Sequence, residues 1–164
     1  MSDKLHEHEF EGIVRSAPLC SIDVVIRDPA GAVMLGLRKN NPAHGFYFVP
    51  GGRIRKGETL SDAFERILAT ETSLTSTIKE ARLIGVYEHF YETNWKNAPG
   101  FGTHYICLAY ELYLPERIDV TADTQHSELI WASPSEFDRL RIHPYSLAYL
   151  ATGTPRKTQN EKQQ

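Results

Sequence analysis

From Pro50 to Leu74 the chain reads PGGRIRKGETLSDAFERILATETSL, two adjacent glycines and an arginine set directly ahead of a helix-forming run. Thr59 is a predicted N-cap with the acidic Asp62 in the first turn behind it. Leu60, Ala63, Phe64, Ile67 and Leu68 recur at helical spacing and form one apolar stripe. The glycine-rich turn thus feeds an amphipathic helix. Glycine at positions 51 and 52 lets backbone turn sharply and approach a phosphate or a metal closely. Arg53 follows at once and offers a bidentate anion donor at the same spot. Glu71 falls one turn beyond Ile67, in line with the stripe, where an inward carboxylate needs a partner such as a cation.

The flanking sequence predicts the other elements. Residues Glu7 to Arg15 suit a short helix with Phe10, Ile13 and Val14 on one face. Leu19 to Arg27 is strand-like, rich in β-branched residues, and carries Asp23 in its middle. Asp28-Pro-Ala-Gly31 reads as a turn and Ala32 to Leu37 as a second strand, a predicted hairpin. Arg82 to Tyr91 and His104 to Leu114 are long strands, and Leu129 to Ala132 a short one. Ser133-Pro-Ser-Glu136 predicts a helix through Leu140, because serine caps and proline fits the first turn. His143 to Leu150 reads as a last short helix. Strands interleaved with helices predict an α/β (α+β) domain over residues 1–152, one mixed sheet sandwiched between helices. Residues 153–164 contain no large apolar side chain and read as a disordered tail.

Bulk properties exclude several classes. A length of 164 residues suits one ordinary domain. A formal net charge of −3 gives no general attraction to nucleic acid or membrane, so an anion site must be local. No apolar run is long enough to span a bilayer, and the polar N-terminus is no signal peptide, which together predict a cytoplasmic protein. Cys20 and Cys107 lie on predicted strands without ligand-like spacing and read as two buried, reduced thiols.

The segment from Pro50 to Leu74 resembles the Nudix box, the loop-helix of hydrolases acting on nucleoside diphosphates linked to another group. Gly52, Glu58, Arg66, Leu68, Glu71 and Leu74 match its slots. Ile67 and Thr70 stand where glutamates are usual, and Ser73 where the closing glycine is usual. Glu58 and Arg66 are either site residues or structural, since an arginine beside carboxylates often only orients them. Mg²⁺ takes one or two carboxylates and completes its shell with water and substrate phosphates. Losing two glutamates therefore leaves a single-ion site intact and argues against a cluster of ions.

The rest of the chain narrows the resemblance. Pro18 to Asp23, Leu35-Gly-Leu-Arg38, Asn41-Pro-Ala-His-Gly-Phe-Tyr-Phe-Val-Pro-Gly-Gly-Arg53, Ala63-Phe-Glu-Arg66, Gly85 with His89-Phe-Tyr91, Thr103-His-Tyr105, Gln125-His126 and Ser146-Leu-Ala-Tyr149 are similar to the GDP-mannose mannosyl hydrolases. This atypical Nudix branch also lacks the two glutamates, and the similarity runs from about Phe10 to Tyr149. Ser73 departs even from the branch. The resemblance implies a Nudix fold and a homodimer. It also implies water attack on carbon 1 of the sugar of GDP-mannose or GDP-glucose, giving GDP and a sugar of inverted configuration. It implies Mg²⁺, with Mn²⁺ able to substitute, on the Gly51 carbonyl, the Glu71 carboxylate and the Gln125 side chain, and His126 as general base.

The residue types suit that reaction. A diphosphate leaves without a proton if its growing charge is neutralised, and Arg38, Arg53 and Tyr105 with the ion can do that. A histidine titrating near neutrality suffices as the one base. Asp23 is either a paired buried carboxylate or a group that binds sugar hydroxyls and favours positive charge on the ring. His89 is a candidate for the sugar pocket or a satisfied core histidine. Phe46, Tyr47 and Tyr91 either stack on a base or belong to the core. Two other readings stay open: pyrophosphate cleavage at phosphorus, and a nucleotide-sugar-binding regulator without turnover.

Overall fold

The computed structural model describes residues 5–40, 43–119 and 128–152. Its centre is β1 (Leu19–Arg27), whose β-branched residues alternate between the two faces of a seven-stranded mixed sheet. β1 pairs in parallel with β6 (Thr103–Tyr113) over its whole length, from Leu19 opposite Tyr105 to Arg27 opposite Tyr113. β5 (Arg82–Tyr91) runs antiparallel along the outer side of β6, with a register shift between Leu83 and Gly85. On its other side β1 meets β2 (Val33–Leu37) and β4 (Gly51–Arg53), both antiparallel. β2 carries β3 (Tyr47–Phe48) and β7 (Leu129–Ala132). The predicted hairpin is a narrow one: β1 and β2 share the single pair Arg27 and Val33, while β2 and β7 pair over four residues.

Alternation along β1 splits the core in two. Ile22, Val24 and Ile26 pack with Met34, Tyr110 and Leu112 under Ala63, Phe64, Ile67 and Leu68 of helix α2 (Leu60–Thr72). Val25 points the other way and joins Leu35, Val49, Cys107, Ala109, Ile142 and Tyr149, Tyr149 coming from helix α3 (Pro144–Thr152). Both faces are therefore covered, which is the predicted sandwich. Helix α1 (Glu7–Ser16) starts at His6, whose N–H donates to Glu9 Oε2 at 2.9 Å, and it buries Val14.

Four local expectations are corrected. Cys20 is exposed and only Cys107 is buried, because Cys20 sits near the start of β1, before α2 covers that face. Leu60 is 44% exposed; it is the first residue of α2, a turn ahead of the part that meets the sheet. The segment after Ser133 is a 3₁₀ helix, Pro134–Arg139, rather than an α-helix. Gly51–Arg53 is strand backbone rather than a turn, and neither Gly51 nor Gly52 has a positive φ.

Helix α2 begins as expected: Thr59 Oγ1 accepts from the Asp62 N–H at 3.1 Å. Its end explains the unusual Ser73. That residue is the C-cap, with φ 60° and ψ 11°, the left-handed conformation that glycine adopts without strain.

Candidate active site

A pocket opens where β1, β4, β5 and β6 meet, lined by Ser21, Asp23, Arg38, Phe48, Gly51, Gly52, Arg53, His89, Tyr91 and Tyr105. Its cavity volume is about 130 Å³, and it opens to solvent. Strand register explains the convergence. Asp23 lies opposite Gly51 on β4, and His89 lies opposite Tyr105 across β5 and β6. Asp23, Arg38, Gly51, Arg53, His89 and Tyr105, scattered over 83 positions from 23 to 105 in the sequence, thus share one cavity.

The glycines serve close approach. A Cβ on Gly51 would stand 2.1 Å from Asp23 Oδ1 and 3.0 Å from the Ile22 carbonyl oxygen. A Cβ on Gly52 would stand 3.1 Å from Ile67 Cγ1. Ile67 therefore uses the first vacated glutamate slot to pack helix against strand, and Thr70, in the second, is exposed.

The cationic half of the pocket is held by aromatic rings. Arg38 lies 5.3 Å from the Phe48 ring centroid. Arg53 lies 4.3 Å from that of Phe10 on α1, and burial lowers the Arg53 pKa despite the neighbouring Tyr105. Phe10 packs in turn on Trp95, and Arg15 covers Phe101. Asn94, fully buried, ties that loop together by donating to the carbonyls of Ala98 and Phe101 at 2.9 Å each. Of the aromatic run, Phe48 lines the pocket. Tyr47 belongs to the core beneath it, and Phe46 is engaged by Arg141 at 4.1 Å. Tyr91, left open between stacking and core, is a lining residue.

The opposite half is built around Tyr149, which the sequence presented only as part of a matching run. Its hydroxyl lies 2.8 Å from Asp23 Oδ2, 2.9 Å from His89 Nε2 and 3.2 Å from Cys107 Sγ. Asp23 is thus both paired and at the pocket. Burial raises its pKa, and the bonds from Tyr149 and Cys107 with the charge of Arg38 oppose that rise. Burial lowers His89 to about 4, with His143 adding to the effect, so its ring is neutral at pH 7. The His89 ring also stacks on Tyr145 at 4.1 Å. The sequence signal for this half is the spacing of Tyr145 and Tyr149, one turn apart on α3.

Asp23, His89 and Cys107 offer three ligand atoms within 4.8 Å of one another. The Tyr149 hydroxyl stands among them, within hydrogen-bond distance of all three, and burial drives the Cys107 thiol well above its usual range.

Glu58 is paired with Arg66. Arg66 donates to both its oxygens, 2.8 Å for the Nη2–Oε2 bond, and to the Arg53 carbonyl at 2.9 Å. That guanidinium holds the Glu58 carboxyl down to about 2. Glu71 lies half-buried one turn beyond Ile67, on the helical line that faces Gly52. Gly51 lines the pocket, and Glu71 is not among its lining residues. Gln125 and His126 lie outside the described residues.

A NUDIX domain model matches residues 18–151. The chain belongs to the Nudix hydrolase family. It is 42% identical over 149 residues to the low-salt glycan biosynthesis protein Agl8 of Haloferax volcanii, covering 90% of this chain and 89% of that protein. An ADP-ribose pyrophosphatase of Methanocaldococcus jannaschii is 37% identical over 70 residues, 43% of this chain and 40% of that one. The Nudix fold is shared with the Shewanella oneidensis NrtR domain complexed with ADP ribose, with a TM-score of 0.63 at 18% identity over 90% of this chain and 96% of that one. The E. coli dihydroneopterin triphosphate pyrophosphohydrolase also has a TM-score of 0.63, at 22% identity over 80% and 91%. Nudix hydrolases typically use divalent ions. No helix among the described residues is long and apolar enough to cross a membrane.

Proposed function

We propose that this Nudix protein hydrolyses a nucleoside diphosphate sugar, GDP-mannose or GDP-glucose, by water attack at the anomeric carbon. The observation that carries the reading is the division of one pocket into two chemistries. Arg38, Arg53 and Tyr105 form a donor half suited to a diphosphate, and Asp23 and His89 form an acceptor half suited to a hydroxyl-bearing ring. The relative named for glycan biosynthesis supports a substrate drawn from sugar-nucleotide chemistry.

Water oxygen bonds to carbon 1 as the bond from carbon 1 to the diphosphate oxygen breaks, inverting the carbon. The water proton passes to His126, and GDP departs with the bonding electron pair. Arg38, Arg53 and Tyr105 bind the diphosphate and neutralise charge as it develops there. Asp23 favours the positive charge that builds on the sugar ring. Gly51, Glu71 and Gln125 would hold Mg²⁺ or Mn²⁺, which when bound supplies further neutralisation of the leaving group. With Ile67 in the core and Thr70 exposed, α2 offers Glu71 alone of the three usual carboxylate slots. That favours a one-ion reaction at carbon over a multi-ion reaction at phosphorus.

Hydrolysis in ¹⁸O water tests the reading. Label is expected in the free sugar; label in a phosphate product would mean attack at phosphorus, and absence of turnover with Mg²⁺ would favour a binding protein. The homodimer expected with this activity is checked by light scattering of the purified chain.

A further inference from the structure

We infer that Tyr149 is a positioning residue whose hydroxyl locks His89 as the Nε2–H tautomer, so that the Asp23–His89 side of the pocket offers hydrogen-bond acceptors. A phenol has one proton to give and can also accept. Its three neighbours, Asp23 Oδ2 at 2.8 Å, His89 Nε2 at 2.9 Å and Cys107 Sγ at 3.2 Å, compete for that proton. The carboxylate is the strongest acceptor of the three and forms the shortest contact. With the proton directed to Asp23, the Tyr149 oxygen can face Nε2 only as an acceptor, and the imidazole must carry its hydrogen there.

A neutral imidazole has one N–H, so the nitrogen left bare is Nδ1. The ring cannot readily turn to exchange its nitrogens. It is 5% exposed, stacked on Tyr145 with an interplanar angle of 7°, and Tyr145 is anchored by bonds of 2.8 Å to both the N–H and the carbonyl of Phe90. Tyr149 is itself fully buried on α3, between strands β1, β5 and β6. It acts on the pocket through Asp23 and His89, which both line it.

The consequence concerns the ligand class, and here the inference rests on the proposed nucleotide-sugar reading. Two fixed acceptors select a group rich in hydroxyl donors. A ligand lacking those hydroxyls covers the acceptors without pairing them, a mismatch that discriminates strongly.

Long-range ¹H–¹⁵N correlation spectra of the ¹⁵N-labelled protein at pH 7 read the tautomer without substrate. His89 is expected to show a protonated Nε2 and an unprotonated Nδ1, and in Tyr149→Phe this pattern should give way to Nδ1–H or a mixture. An Nδ1–H ring in the unmodified protein overturns the inference, as does an unchanged Nε2–H pattern in Tyr149→Phe. Should the variant fail to fold, the spectrum of the unmodified protein still decides. Kinetics give the second readout: Tyr149→Phe should lower kcat/KM for GDP-mannose at least tenfold while GDP affinity stays within twofold. An equal loss of GDP affinity would reveal a merely structural role. If the unmodified enzyme released no GDP at all, the functional reading would fail while the tautomer spectrum still stood as its own test.

Discussion

A single methyl group placed on Gly51 tests how the pocket is assembled. The added Cβ would lie 2.1 Å from Asp23 Oδ1, well inside contact distance, and 3.0 Å from the Ile22 carbonyl oxygen. The carboxylate must swing away, and in doing so it strains or loses its 2.8 Å bond from Tyr149. Overpacking of this kind costs about 1–3 kcal/mol, while replacing glycine by alanine returns ~0.4–1 kcal/mol through the unfolded chain. A net loss of about 1–2 kcal/mol follows for Gly51→Ala, a fall in Tm of roughly 2–8 °C for a domain of this size. In an Asp23→Ala background the carboxylate is gone and only the Ile22 contact remains. The same substitution should there be nearly neutral, giving a coupling energy of about 1–2 kcal/mol between the two positions. Thermal and urea unfolding of the four proteins measure it. Equal losses in both backgrounds would show that backbone crowding at Ile22, and not the Asp23 carboxylate, forbids a side chain at position 51.

Ser73→Gly should raise stability by about 0.5–1 kcal/mol, because it relieves a left-handed residue while retaining the cap bond from its N–H to the Ala69 carbonyl; a lower Tm would mean the serine side chain itself holds the helix end. Glu58, depressed from an ordinary 4.5 to about 2 by Arg66, stabilises the fold fully above pH 4.5 and progressively less as pH falls towards 2. The Tm of Glu58→Gln should therefore fall less over that window than that of the unmodified protein, and parallel curves would deny the pair a role. His126→Gln should lower kcat far more than it weakens substrate binding, and unchanged turnover would remove His126 from the reaction. Truncating Arg53 to Ala should raise the barrier by roughly 2–4 kcal/mol; a loss below about tenfold would limit it to binding.

How much of this was legible in the sequence depends on whether a residue's role is local. β-Branched residues placed β1 with its observed bounds, and the threonine cap placed the start of α2, because these signals are written in consecutive residues. Cys20 and Leu60 misled for one reason: each is apolar and in register, but each stands at the end of its element, where no partner layer reaches. The glycines at 51 and 52 were legible as exceptional, yet their cause was not. A turn and a close approach look alike in sequence, and the contacts that decide between them come from Asp23, 28 positions earlier, and Ile67, 15 positions later.

Tyr149 marks the limit of such reading. Nothing in Ser146-Leu-Ala-Tyr149 distinguishes a core tyrosine from one that joins three polar groups, because the partners at positions 23, 89 and 107 belong to three different strands. Resemblance could mark the run without explaining it. The two halves of the pocket rest on different elements. The donor half leans on α1 and the loop over residues 92–102 through Phe10, and the acceptor half leans on α3 through Tyr145 and Tyr149. Substitutions at Phe10 should therefore act on the hold over the diphosphate through Arg53, and substitutions at Tyr149 on the hold over the hydroxylated ring. Tyr91, whose ring meets both Tyr105 and Tyr145, joins the two halves, so a change on one side is expected to be felt on the other.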